Sequence, residues 1–291
     1  MNVYKIDRER WMKQMDFLGK EPIFIIGYPK SGNTWLARLI SDAFSSPIVG
    51  GDNPIDQADK KQSYTGQFLI YKSHYSKQSK PNYIKESSKI LYIVRDFRDV
   101  LVSGFFHNHR GANEYKYTIE NTLDLRFHSF YRYYFVRQVD RMIRKWQGSE
   151  ITVFRNNIKK FISILKYFVL REKWPTSLSV GNWSEHVTYW IELPNACVIR
   201  YEDLLADTFA TLKKSFSKIK ISCSDQRLFE AIERQSFKTR KKEFQKKGDQ
   251  VNTVFMRKGV AGDWKRFLDE KMIQHIKKAH GPTMNRLGYE I

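Results

Sequence analysis

Several short groups of residues in this chain have the types and spacing to hold anions and move a proton. In Gly27-Tyr-Pro-Lys-Ser-Gly-Asn-Thr34 two glycines stand at the spacing Gly27-x-x-x-x-Gly32, with Lys30 between them. A glycine turn that leads into a helix aims backbone N–H groups at one point, and the helix dipole favours negative charge there. The spacing is that of a phosphate loop, but its lysine is displaced. A loop that grips a triphosphate and magnesium carries Lys directly after the second glycine. Here that position is Asn33. Lys30, near the apex, instead suits a single phosphate and a bridging oxygen, and Pro29 stiffens the turn before it. Lys72-Ser-His74 sets a cation beside an imidazole whose unperturbed pKa, near neutrality, suits proton removal. Arg257 and Lys258 can pair with a phosphate through charge-assisted hydrogen bonds, while Arg95 closes an apolar run and Ser103 lies eight residues beyond it.

Each group also has a plainer reading. A bare glycine spacing is also a tight turn, a single histidine is more often structural, and Arg-Lys-Gly is a common exposed turn. Arg98 and Asp99 read as a surface ion pair or a helix cap.

The elements that must carry these residues are legible. Short apolar runs at Ile23–Tyr28, Phe68–Lys72, Ile90–Arg95 and Ala196–Arg200 predict buried parallel strands. Helical patterns follow at Thr34–Phe44, Asp96–Phe106 and Glu202–Phe216. In the first of these, Trp35, Leu36, Leu39, Ile40, Ala43 and Phe44 share a face. Strand, turn and helix in alternation predict an α/β fold with a P-loop-type parallel β-sheet flanked by helices. The loop at Gly27–Thr34, the Lys72/His74 pair and Arg95 then fall at the C-terminal ends of strands, where open α/β sheets bind ligands. The stretch Glu114–Ile191 reads as a mostly helical, aromatic-rich middle segment, and Glu270–His280 as a final helix. No composition shift divides the chain, so residues 1–291 read as one domain, with 1–20 an N-terminal extension.

Lys and Arg number 51 against 31 Asp and Glu, a formal net charge of +20, which favours anionic partners without choosing among them. The two cysteines, Cys197 and Cys223, are too few for a disulfide framework or a cysteine zinc site and suit a reducing compartment. Residues 1–20 are studded with charge and hold no run of signal-peptide or membrane-span length. The expectation is a cytoplasmic protein without a membrane span.

Tyr28-Pro-Lys-Ser-Gly-Asn-Thr-Trp35 resembles the 5′-phosphosulfate loop of cytosolic-type sulfotransferases, which use 3′-phosphoadenosine 5′-phosphosulfate (PAPS) and release 3′-phosphoadenosine 5′-phosphate (PAP). Asn33 replaces the family's usual Thr. Further likenesses follow in family order over most of the chain. Lys72-Ser-His74 resembles the Lys-x-His that carries the base. Arg95-Asp-Phe-Arg-Asp-Val-Leu-Val-Ser103 resembles the 3′-phosphate motif, and Gly181-Asn-Trp-Ser-Glu-His186 a segment that packs near the active site. Tyr201-Glu-Asp and Gln235-Ser-Phe237 are similar to adenine contacts, with Gln235 a departure. Phe255-Met-Arg-Lys-Gly259 followed by Gly262-Asp-Trp264 is similar to the final donor signature.

The resemblance implies roles. His74 would be the general base, Lys30 would stabilise the leaving oxygen, and Lys72 would hold the transferred group. Ser31, Gly32, Asn33 and Thr34 would bind the 5′-phosphate. Arg95, Ser103, Arg257, Lys258 and Gly259 would bind the 3′-phosphate, with Ser103 also steering Lys30. Trp35, Tyr201 and Phe237 would sandwich adenine, with Ser236, Phe255 and Met256 beside them. It also implies that 236–258 is a mobile loop near the donor. No metal is implied, since a sulfuryl group carries less charge than a phosphoryl. A small-molecule acceptor is expected; Phe105, Phe106, His107, Tyr115, Tyr117, Phe130 and Tyr134 are candidates to line its pocket, and equally candidates for core. The family's dimerisation pattern is not intact in Trp264-Lys-Arg-Phe-Leu-Asp-Glu-Lys271, which leaves the oligomeric state open.

Two rivals stay open at this point. A P-loop kinase shares the fold but wants Lys at Asn33. A non-enzymatic nucleic-acid or polyanion binder draws on the net charge and on the basic run Lys238–Lys247, although that run reads more simply as a solvated loop, so no specific nucleic acid is expected.

Overall fold

A computed structural model of the chain describes residues 20–49, 65–108, 180–248 and 259–291. Its centre is a five-stranded, wholly parallel sheet. The strands are β1 (Glu21–Gly27), β2 (Ile48–Val49), β3 (Phe68–Ser73), β4 (Lys89–Val94) and β5 (Ala196–Arg200), in the order β2-β3-β1-β4-β5. After β1 the chain runs out to the edge on one side for β2 and returns inward to lay β3 beside β1. It then crosses over β1 to lay down β4 and β5 on the other side. The C-terminal end of β1 is therefore a topological switch point, where loops diverge and leave a crevice.

The strands read as unbroken apolar runs because both faces of the sheet are covered. Side-chain alternation divides them between two cores. Phe24, Ile26, Leu69, Tyr71, Ile90, Tyr92 and Val94 face one way, toward helices α2 (Phe97–Asn108), α3 (Trp183–Ile191) and α8 (Glu270–Arg286). Ile23, Ile25, Phe68, Ile70, Leu91 and Ile93 face the other way, toward α1 (Asn33–Phe44), α4 (Tyr201–Ala206), α5 (Thr208–Lys218) and α6 (Asp225–Arg234). A register slip of one residue would exchange the two sets, so the pairing Ile25↔Lys72 and Ile25↔Leu91 is strongly specified. That register places the ends of β3 and β4 on either side of the loop that leaves β1.

The observed elements depart from expectation in several places, and helix α6 is among the elements not expected from the sequence. Edge strand β2, two residues long, gave no sequence signal. The helix expected over Glu202–Phe216 breaks at Asp207, which leaves helical geometry (φ −144°, ψ 90°) and accepts a hydrogen bond from the Ala210 amide at 2.9 Å, capping α5. The C-terminal helix runs past His280 to Arg286 with Pro282 inside it. Residues Phe237–Lys246, expected within a loop, form helix α7, whose N-cap Ser236 accepts from the Thr239 amide. Of the helical middle segment, α3 is described, and residues 109–179 lie outside the described residues. Among the described residues no helix is long and apolar enough to cross a membrane.

Candidate active site

The loop after β1 turns tightly, with the Ser31 amide donating to the Tyr28 carbonyl at 3.1 Å. Lys30 (φ 72°) and Gly32 (φ 106°) both take left-handed backbone. Gly32 is the N-cap of α1 and offers no side chain, so the first amides of the helix have no side-chain cap. Space also demands glycine at both ends of the loop. A Cβ on Gly27 would stand 2.4 Å from the Ile93 carbonyl oxygen, and one on Gly32 would stand 2.8 Å from Tyr201 Cδ2. The Ser31 hydroxyl is buried in the loop without a hydrogen-bond partner among the described residues. An orphaned donor, uncapped helix amides and a lysine in one turn are what an incoming oxyanion needs.

His74 follows β3, beside this loop. Its Nδ1 lies 2.7 Å from the Gly27 carbonyl oxygen, an acceptor only, so Nδ1 carries the proton and donates it. Asn33 Nδ2 stands 3.4 Å from the same ring nitrogen, but its hydrogens go to the carbonyls of Gly27 at 3.2 Å and Ser73 at 3.0 Å. The residue that departs from both loop patterns thus ties β1 to the end of β3. With Nδ1 committed, Nε2 of neutral His74 holds the lone pair. Lys72, two residues earlier on β3, donates to Thr34 Oγ1 at 3.4 Å.

His186 on α3 supports His74 from behind. It is buried, and burial pushes its pKa down to about 4, so the ring is neutral at pH 7. Its Nε2 donates to the His74 carbonyl at 3.3 Å, and its Nδ1 accepts from the Tyr92 hydroxyl at 2.9 Å. The sequence marked this segment only as packing nearby.

Arg95 directly follows β4 and faces the other flank of the loop. Its guanidinium lies over the Tyr201 ring, 4.3 Å from the centroid, donates to the Val260 carbonyl at 2.9 Å and stands 3.5 Å from the Lys30 carbonyl. Trp35 meets Tyr201 edge-on at 5.8 Å, and its indole N–H donates to the Gln235 carbonyl at 3.2 Å. Phe237 opens α7 against Gly259: a Cβ there would come within 2.4 Å of the ring. The structure therefore gathers Lys30, Ser31, Gly32, Asn33, Thr34, Trp35, Lys72, His74, Arg95 and Tyr201 around the end of β1, with Ser236, Phe237 and Gly259 joined to it through Gln235 and Val260. Ser103 is half-buried on α2. Phe255, Met256, Arg257 and Lys258 lie outside the described residues, as do the side chains named for an acceptor pocket.

Arg98 and Asp99 are not a surface pair. Arg98 is buried, binds both carboxylate oxygens of Asp96 and lies 3.9 Å from the centroid of the Trp264 ring. Asp99 is buried too and accepts from the amides of Gly262 at 2.7 Å and Trp264 at 3.0 Å. Residues Gly262 and Trp264, from the far end of the chain, return to cover them.

A parallel sheet with an anion cradle at its switch point defines a P-loop-like α/β protein. The chain belongs to the sulfotransferase domain family, whose model matches residues 20–288. It is 24% identical over 296 residues to Sulfotransferase 2A1 of Rattus norvegicus, covering 91% of this chain and 84% of the relative. It is 23% identical over 291 residues to the 3-beta-hydroxysteroid sulfotransferase of Cavia porcellus, with the same coverage of 91% and 84%. Among solved structures, mouse sulfotransferase SULT7A1 complexed with PAP matches with a TM-score of 0.57 at 23% identity, over 91% of this chain and 84% of that one. Retinol dehydratase in complex with androsterone and inactive cofactor PAP matches with a TM-score of 0.53 at 16% identity, over 90% and 80%.

Proposed function

We propose that this protein moves a sulfuryl group from PAPS to a hydroxyl or amine of a small-molecule acceptor, with His74 as general base. The observation that carries the proposal is the hydrogen bond from His74 Nδ1 to the Gly27 carbonyl. It leaves the basic Nε2 lone pair on a ring anchored to the start of the phosphate loop. A base fixed to the loop that holds the donor is placed for in-line transfer.

The residues present fit the donor. Uncapped amides at the start of α1, the orphaned Ser31 hydroxyl and Lys30 suit the 5′-phosphosulfate. Arg95 suits the 3′-phosphate, with Ser103, Arg257, Lys258 and Gly259 assigned to it by family likeness. Trp35, Tyr201 and Phe237 supply aromatic surface for adenine, with Ser236, Phe255 and Met256 assigned beside them. Two similar structures hold PAP, which supports the same donor.

In the reaction, His74 Nε2 takes the acceptor's proton as the acceptor atom bonds to sulfur. The bond from sulfur to the bridging oxygen breaks, and Lys30 stabilises the charge that develops there. Lys72 holds the sulfonate oxygens during transfer, and PAP leaves. Ser103 steers Lys30 until an acceptor arrives. The free Cys197 and Cys223 fit a cytoplasmic setting.

The test uses PAPS labelled in sulfur, a panel of phenols, aliphatic alcohols and amines, and the His74→Ala variant. Wild type should transfer label to at least one acceptor class. His74→Ala should lose about 10²–10⁴-fold in turnover with PAP affinity retained. Near-normal turnover by the variant would remove His74 as the base.

A further inference from the structure

Asp99 has no task in the reaction just described, yet the fold invests in it heavily. Its carboxylate is buried, and a buried charge is costly unless partners compensate. The partners are present: the Gly262 and Trp264 amides at 2.7 and 3.0 Å, and Arg95 Nη2 at 3.7 Å. Desolvation pushes its pKa up, while Arg95 and the two amides oppose the shift.

The surroundings of Arg95 show what this arrangement accomplishes. The guanidinium rests on the Tyr201 ring and donates to the Val260 carbonyl, two residues before Gly262. Asp99 thus acts on Arg95 twice. It pairs with the guanidinium, and it pins the turn whose Val260 carbonyl holds that same guanidinium. Arg95 Nε is buried with no hydrogen-bond partner among the described residues, so the socket restrains the group without saturating it.

We propose that Asp99 is a positioning residue for the 3′-phosphate end of the donor site: it anchors the 262–264 turn and, through that turn and directly, fixes the Arg95 guanidinium in place before the phosphate arrives. The inference rests on the donor reading above. Holding a long side chain in its bound geometry in advance removes an ordering cost from binding. The proposal also has a sign that simple electrostatics does not. An acidic residue beside a phosphate site repels the ligand, so neutralising it should tighten binding. If its work is positioning, neutralising it should weaken binding instead.

Calorimetry on the full chain decides between these, with PAP and adenosine 5′-phosphate as ligands and Asp99→Asn as the variant. Asparagine presents an NH2 group where the turn needs acceptors. The variant should bind PAP at least about tenfold more weakly and bind adenosine 5′-phosphate within about twofold of wild type. Unchanged or tighter PAP binding would overturn the proposal, and so would an equal loss for both ligands, which marks a general structural latch. Amide hydrogen exchange on wild-type protein gives a reading even if the variant does not fold. PAP should slow exchange at Gly262 and Trp264 well beyond the effect of adenosine 5′-phosphate, and equal slowing by both would overturn the proposal. If wild type itself does not prefer PAP to adenosine 5′-phosphate, the donor reading has failed, and the inference falls with it.

Discussion

The backbone of Gly32 runs against the ring of Tyr201, so that a Cβ on Gly32 would stand 2.8 Å from Tyr201 Cδ2 and 3.2 Å from Ile93 Cδ1. The loop assigned to the 5′-phosphosulfate and the ring assigned to adenine are therefore one packed unit. Gly32 also has φ 106°, which side chains avoid. Gly32→Ala should lower stability by about 1–3 kcal/mol in urea unfolding and weaken PAP binding together. A stable Gly32→Ala variant with normal PAP affinity would show that the loop and Tyr201 do not share the site.

Lys30 carries a related tension. It is not glycine, yet it holds φ 72°. Left-handed backbone costs a side-chain-bearing residue about 1–2 kcal/mol, and such strain gathers at functional sites. Lys30→Gly removes the strain and the cation at once, while glycine loosens the unfolded chain. Unfolding stability should stay level or rise by up to about 1 kcal/mol, as sulfuryl transfer falls by orders of magnitude. A variant that loses stability and keeps turnover would remove Lys30 from the reaction.

Much of this was legible in the sequence because it is local. Four of the five strands announced themselves as apolar runs, and the loop after β1 is a contiguous stretch whose misplaced lysine already argued against a triphosphate. What escaped depends on distant parts of the chain. Arg98 and Asp99 look like a solvated pair until Gly262, Asp263 and Trp264 fold over them. The helix at Phe237–Lys246 hides its order in a run of cations with a single buried apolar residue, Phe244, and its clearest local sign is the Ser236 cap. The break at Asp207 was masked by apolar spacing that continues across it, from Leu204 to Leu212 and Phe216. His186 was placed near the site, but its bond to the His74 carbonyl exists only once α3 packs against β4 and β5.

His186 gives the fold a defined response to acid. Its pKa in the folded protein is about 4, against 6.5 when unperturbed. Between those values the unfolded chain binds the extra proton, so stability rises with pH across the window. The contribution is complete above about pH 6.5 and lost as pH falls toward 4, and it amounts to about 3 kcal/mol at most. His186→Gln keeps an amide donor for the His74 carbonyl and does not titrate. Its urea midpoint should therefore decline less than that of wild type from pH 7 to pH 4. Identical declines would mean that His186 is not held neutral in the fold.

The donor itself is the central claim, and calorimetry with PAP, set against ATP with magnesium, tests it most directly. PAP should bind one to one with an affinity independent of magnesium, and ATP with magnesium should bind far more weakly. Binding of magnesium ATP in preference to PAP, or no binding of PAP, would contradict the account and return the chain to the kinase reading that Asn33 argued against.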